Sequence, residues 1–157
     1  RKEARAADID PARLIFAGKA PIAEHLERHR HADLFLDTFN VNAHTTACDA
    51  LWAGVPVVTK IGRQFAARVA ASVLNAVDLP DLVTSTDFGY EETILRLAQD
   101  SDALTALRAR LRNAIGSSLL FDARRYTRNF ENGLRAAHDH FATGKAAEHI
   151  WVLDPKP

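Results

Sequence analysis

The 157-residue chain balances 20 Lys and Arg against 20 Asp and Glu, and 47% of its residues are hydrophobic. Such a length buries a core and suits one domain with a C-terminal appendage, and a formal charge of zero leaves no electrostatic footprint for nucleic acid or an anionic membrane. One cysteine, Cys48, excludes an internal disulfide framework and suits a reducing, cytoplasmic setting. No apolar run reaches the roughly 18 residues of a bilayer span, and the opening residues show no signal-peptide pattern.

Arg1 to Asp8 has the pattern of the last turns of a helix, and the chain contains no methionine, so the expectation is a segment of a longer polypeptide. Ile9-Asp10-Pro11 breaks that helix, because proline cannot continue it. Arg13–Ala17 reads as a short buried strand, Lys19-Ala20-Pro21 as a turn and Ile22–His31 as a polar helix. A second strand is expected over Ala32–Asp37, ended by the polar loop Thr38–Ala43. The helix Thr45–Ala53 follows, then the strand Val55–Thr59, whose apolar β-branched residues suit a parallel sheet covered on both faces. Gly62 permits a turn into a helix over Phe65–Val77, and Leu82–Thr84 reads as a last strand, with Ser85 or Thr86 free to cap the next helix. Leucines then recur at three- and four-residue intervals, as in amphipathic helices. Gly116–Leu120 is a break, and Asp122–Ala142 a final helix ending at Gly144. Strand–helix alternation at this spacing predicts an α/β fold of right-handed βαβ units, a parallel sheet with flanking helices.

The chemistry concentrates in Asn42 to Val58. Ligands of open α/β sheets bind beyond the C-terminal ends of the strands. Asp37 closes one strand, and the loop to His44 aims a helix N-terminus at that crevice. The N–H groups of Thr45 and Thr46 lack intrahelical partners, and their hydroxyls add two donors, an arrangement suited to a diphosphate. His44, at the cap, can donate to the same phosphate and offset charge on a leaving diphosphate. Asp49 lies one turn inside on the same face; phosphates would repel it, so a ribose diol is its expected partner. The competing reading is that Thr45 and Asp49 only cap and solvate a surface helix. Leu51 and Trp52 are expected in the core.

Ala20 to Arg28 opens onto the same crevice. His25 and Arg28 share a helix face and could meet a base, or could simply be solvated. His25, His29 and His31 invite a metal reading, but no carboxylate or cysteine set completes it, so no metal is expected. Arg68 could reach a phosphate, tie a loop carbonyl or form a structural ion pair. Arg124, Arg125 and Arg128 read as a solvated face, and His138, His140 and His149 carry no constellation.

Leu36-Asp37-Thr38, Asn42, His44-Thr45-Thr46, Asp49, Leu51-Trp52-Ala53-Gly54 and Pro56 together resemble the donor-binding half of the O-linked N-acetylglucosamine transferases. That family includes SPINDLY-like proteins and bacterial relatives. The resemblance extends over residues 10–142 through Arg13–Phe16, Ala20-Pro21, Arg68–Ser72, Leu120-Phe121 and Tyr126-Thr127. It implies the Rossmann-like C-terminal half of a GT-B glycosyltransferase, with the donor-binding part over residues 1–121, a bracing helix over 122–144 and a tail over 145–157. The implied reaction is an inverting, metal-independent transfer of N-acetylglucosamine from UDP-GlcNAc to Ser or Thr hydroxyls of proteins, with no cofactor. His44, Thr45 and Thr46 would hold the diphosphate, and Asp49 the ribose. His25 would pack on uracil, with Arg28 and the Ala20 backbone reading its edge. No catalytic residue is expected within the chain; an acceptor-binding domain and helical (TPR) repeats would lie upstream. Ile22 departs from the family, whose animal members carry a ribose-contacting lysine there. A UDP-glucose-dependent protein glucosyltransferase and a non-catalytic UDP-binding module are the alternatives.

Overall fold

The computed structural model describes residues 1–154. In chain order it contains α1 (Lys2–Ala6), α2 (Ile22–Arg28), β1 (Phe35–Leu36), α3 (Thr45–Trp52), β2 (Val57–Lys60), α4 (Val69–Ala76), β3 (Val83–Thr84), α5 (Asp87–Gln99), α6 (Ser101–Ile115) and α7 (Ala123–Ala142). The strands form one parallel sheet in the order β1-β2-β3. Phe35 registers with Val57, and Thr59 with Val83. The α3 and α4 crossovers connect these neighbours, as the strand–helix alternation predicts. Central β2 buries Val57, Val58 and Thr59 completely, the burial expected of a parallel strand covered on both faces.

Side chains cap the N-termini of three helices. Thr86 Oγ1 accepts the Gly89 N–H at the mouth of α5, Asp100 accepts from Asp102 and Ala103 at α6, and Asp122 accepts from Arg125 at α7; such caps satisfy donors the helix leaves orphaned. α3 ends in a Schellman turn: Val55 N–H donates to Ala50 O at 2.9 Å and Gly54 N–H to Leu51 O at 2.9 Å. Gly54 sits at φ +83°, a left-handed conformation that glycine adopts without a Cβ penalty. The turn sends the chain from α3 straight into β2.

Leu51 from α3, Leu74 from α4, Leu97 from α5 and Leu107 and Leu111 from α6 close over Val57 and Val58 in one apolar cluster. Burying each leucine stabilises the fold by about 1.5–3 kcal/mol before entropy is counted. Arg108, from α6, donates to Ala32 O and lies 3.4 Å from Asp33 Oδ1, which fixes α6 against the entry to β1.

Four expectations need correction. Arg13–Ala17 is not a strand: Asp10 caps a 3-10 turn at Pro11–Arg13, no ladder partner is present among the described residues, and Ile15 and Phe16 are 91% and 72% exposed. Trp52 is not core; it is 56% exposed and meets Phe121 edge-on at 5.1 Å, because the apolar face of α3 runs through Ala47, Ala50 and Leu51. The helix expected over Phe65–Val77 is split at Arg68. Ala66 O accepts from Asn42 N–H and Ala67 O from Gly62 N–H, so a 3-10 turn occupies Phe65–Ala67 and α4 begins at Val69. Gly62 is demanded by proximity, since a Cβ there would stand 2.6 Å from the Ala67 Cβ. Finally, Arg125 is not merely solvated; it pairs with Asp154.

α7 buries no residue and leaves Tyr126, Phe130 and Leu134 exposed along one face. Residues 145–154 turn back beside it: His140 Nε2 meets Ala146 O at 2.6 Å, and Arg125 Nε donates to Asp154 Oδ2 at 2.7 Å. The remainder of the expected tail, 155–157, lies outside the described residues.

Two stability predictions follow from this packing. Leu74→Ala should cost about 2–5 kcal/mol in urea unfolding, and Trp52→Ala markedly less; equal losses would contradict the core described. Hydrogen bonds from Arg110 hold the Asp81 carboxyl below its ordinary pKa. A depressed folded-state pKa stabilises above the unfolded value of about 3.9 and loses that contribution as pH falls through the folded one. For this half-exposed pair the contribution is at most about 1 kcal/mol. The difference between the protein and Asp81→Asn should therefore be present at neutral pH and vanish in acid; a difference that persists in strong acid refutes the assignment.

Candidate functional site

The C-terminal ends of the strands form one edge of the molecule, and the loop after β1 dominates it. Asp37 follows β1 and is 4% exposed. Its Oδ1 accepts the Thr38 N–H at 2.8 Å and the Ala43 N–H at 2.6 Å, and its Oδ2 accepts the Thr59 hydroxyl at 2.6 Å. Its main-chain carbonyl accepts the Tyr90 hydroxyl at 2.8 Å. Burial, and secondarily the Asp37 charge, push the Tyr90 phenol pKa up. Within the loop, Thr38 Oγ1 donates to Val41 O and Asn42 Nδ2 to Thr38 O. Asn42 is 3% exposed, and its Oδ1 has no hydrogen-bond partner.

This loop delivers His44 as the N-cap of α3. The His44 carbonyl accepts the Ala47 and Cys48 N–H groups, each at 3.2 Å. No protein group among the described residues accepts the N–H of Thr45 or Thr46, and neither hydroxyl is bonded. All three residues are exposed. The helix mouth therefore presents four unpaired donors, with the imidazole of His44 beside them, edge-on to Phe65 at 6.2 Å. Such a mouth favours an anion by about 0.3–1 kcal/mol from the dipole alone, and each direct hydrogen bond adds to that.

One turn further in, Asp49 Oδ2 lies 3.8 Å from His25 Nε2, joining α3 to α2. His25 Nδ1 is 2.6 Å from Arg28 Nη2. A guanidinium can only donate, so Nδ1 is the acceptor and the neutral ring carries its proton on Nε2, toward Asp49. Arg28 also donates to Gly18 O at 2.8 Å, fixing the turn before α2. Neither backbone group of Ala20 is bonded to protein among the described residues, and Ile22 is exposed. The structure thus brings His25, Arg28 and Asp49 together, with Ala20 at the head of the same helix and the Thr45–Thr46 mouth one turn away. Cys48, on the α3 face beside Asp49, has its thiol pKa raised by burial first and then by the Asp49 charge.

The other candidates resolve differently. Arg68 donates to Gly62 O at 2.9 Å, so of its three expected roles it performs the loop tie. His29 Nδ1 meets the His25 carbonyl at 2.8 Å, and its ring stands edge-on to that of His25 at 4.7 Å. A crevice of about 430 Å³ opens between Phe39 and Asn40 on one side and Gly62 and Gln64 on the other, floored by Lys60. Lys60 Nζ lies 4.0 Å above the Phe39 ring and pairs with Asp87. A further cavity of about 490 Å³ runs along α4 by Arg68 and Ser72; none of the residues expected at the donor site lines it.

The sequence marks Asp37 as the end of a strand and part of the family resemblance, and assigns Thr59, Tyr90 and Lys60 no role at the site. The available signals were polar residues inside apolar runs: Thr59 and Lys60 close the strand Val55–Thr59 and its turn, and a buried polar group needs a partner.

Residues 1–130 match the model of glycosyl transferase family 41. A UDP-N-acetylglucosamine–peptide N-acetylglucosaminyltransferase of Caenorhabditis elegans is 39% identical over 142 residues, 90% of this chain and 12% of the relative. The probable enzyme of the same description, SEC, of Arabidopsis thaliana is 35% identical over 155 residues, 98% of this chain and 16% of the relative. The solved structure of a mutant O-GlcNAc transferase of Thermobaculum terrenum superposes with a TM-score of 0.83 at 29% identity, over 92% of this chain and 28% of that one. The chain thus spans less than a fifth of the length of these two curated relatives, and its sheet with flanking helices is the Rossmann-like architecture of a GT-B enzyme. With the family model covering the whole sheet and relatives of 35–39% identity along most of its length, the chain belongs to glycosyl transferase family 41.

Proposed function

We propose that this chain is the donor-binding part of a protein O-GlcNAc transferase, holding UDP-GlcNAc while the sugar passes with inversion to a Ser or Thr hydroxyl of a protein. The observation that carries the reading is the set of four unpaired donors on Thr45 and Thr46, one helical turn from the His25–Asp49 contact. A diphosphate at the mouth of α3 would accept those donors and that of His44. The ribose diol would then reach Asp49, and the base would lie on His25, its edge toward the free backbone of Ala20. Arg28 orients His25 through Nδ1 and supports the turn from below.

The chemistry asked of this part is charge stabilisation. As the glycosidic bond to the diphosphate breaks, negative charge grows on the leaving phosphate, and preorganised donors aimed at it lower the barrier. Neutral N–H and hydroxyl groups with one imidazole supply those donors, so the proposal includes neither a metal nor a cofactor. The acceptor peptide, the acceptor-binding domain and TPR repeats of the same polypeptide, and a cytoplasmic setting in which Cys48 stays a thiol, belong to the same proposal. Among the described residues no helix is long and apolar enough to cross a membrane.

Titrating the full-length protein with UDP-GlcNAc and UDP-glucose, with and without acceptor protein, tests the reading. Tighter binding and turnover of UDP-GlcNAc are expected. Turnover of UDP-glucose alone would make it a glucosyltransferase, and binding without turnover of either sugar would leave a UDP-binding module. His44→Ala should weaken UDP by about 1.5–3 kcal/mol, tenfold or more, if the charge-assisted bond to the phosphate is made; unchanged affinity and rate would remove His44 from the site.

A further inference from the structure

We infer that Asp37 is a positioning residue for donor binding: its buried carboxylate sets where the mouth of α3 stands, without touching the donor. The inference rests on reading that mouth as the diphosphate site. Asp37 lies seven residues before His44, yet its Oδ1 takes the N–H of Ala43, the residue immediately before that cap. The same oxygen takes the Thr38 N–H, so one atom closes both ends of the loop 38–43. Oδ2 is tied to the Thr59 hydroxyl in the fully buried part of β2, and the Asp37 carbonyl to Tyr90 of α5. The loop entry is therefore referenced to the most rigid part of the sheet. Asn42 N–H on Ala66 O extends the same tie to the turn before α4.

A second feature separates positioning from general stability. The His25–Arg28–Asp49 group is held by α2 and by the body of α3, and none of its contacts passes through the loop. Loosening the Asp37 clamp should displace the His44–Thr46 donors relative to the sheet and leave the base-side group in place. Binding energy from the diphosphate should fall, while that from the nucleoside should not.

The test compares UDP with uridine on the full-length protein carrying Asp37→Ala, Asp37→Asn or Thr59→Val. Asp37→Ala should weaken UDP about tenfold or more while uridine stays within about twofold. Asp37→Asn should recover most of the loss, because its amide oxygen can keep both N–H bonds and its Nδ2 can donate to the Thr59 hydroxyl, which also accepts. Parallel loss of UDP and uridine, or no loss of UDP, overturns the inference. Should Asp37→Ala fail to fold, Thr59→Val decides: selective weakening of UDP by about threefold supports the clamp, and unchanged UDP affinity refutes it. If the unmodified protein binds no UDP, the donor-site reading itself fails; if it binds UDP and only His44→Ala weakens it, the positioning role alone fails.

Discussion

The Asp37 carboxylate, 4% exposed and hydrogen-bonded by the N–H groups of Thr38 and Ala43 and the hydroxyl of Thr59, is the junction of sheet, loop and helix mouth. Removing a carboxylate from water is costly unless it is hydrogen-bonded, and here three donors meet it, from Thr38 after β1, Ala43 before α3 and Thr59 in β2. Charge-assisted bonds of this kind are worth about 1.5–3 kcal/mol each. The cost of burying Asp37 is thus offset only when the loop 38–43 adopts this one conformation. The buried ion selects the loop, and the loop places the first turn of α3, where His44, Thr45 and Thr46 stand.

From that entry the division of labour along α3 follows. Its first turn leaves the Thr45 and Thr46 donors bare, its inner face buries Ala47, Ala50 and Leu51, and its flank carries Asp49 to His25. The Schellman turn at Gly54 then returns the chain to β2 at once. A helix of eight residues has little stability of its own. Its length is sufficient because both ends are tied, one by the loop and one by the turn, and because its apolar face is sealed by α4 and α6. An anion-accepting mouth built this way is preorganised, which is what stabilising a leaving diphosphate requires.

Much of this was legible in the residues. The β-branched run before Lys60 announced a buried parallel strand, Gly54 the end of α3, and His44-Thr45-Thr46 the helix mouth. Failures came where long-range contacts outrank local pattern. Arg13–Ala17 is apolar enough for a strand, but a strand needs a neighbour, and Ile15 and Phe16 stand exposed without one among the described residues. The Phe65–Val77 helix has good local propensity, yet Asn42 and Gly62 capture the Ala66 and Ala67 carbonyls that its first turn needs. Trp52 is expected in the core beside Leu51, whereas its position on α3 points it to the rim. At the site, spacing paired His25 with Arg28 on one face. It could not show that Arg28 ties His25 to Gly18, nor that Asp37 reaches Ala43, because both are closures of loops whose geometry no periodicity encodes.

The central claim is that the first turn of α3 receives a diphosphate. Its most direct measurement is the amide resonances of Thr45 and Thr46 in the full-length protein labelled with 15N at threonine, titrated with UDP and with uridine. The account predicts that both amides move as UDP saturates the protein and stay in place with saturating uridine. If UDP binds while these two amides remain unmoved, the diphosphate lies elsewhere and the account is wrong.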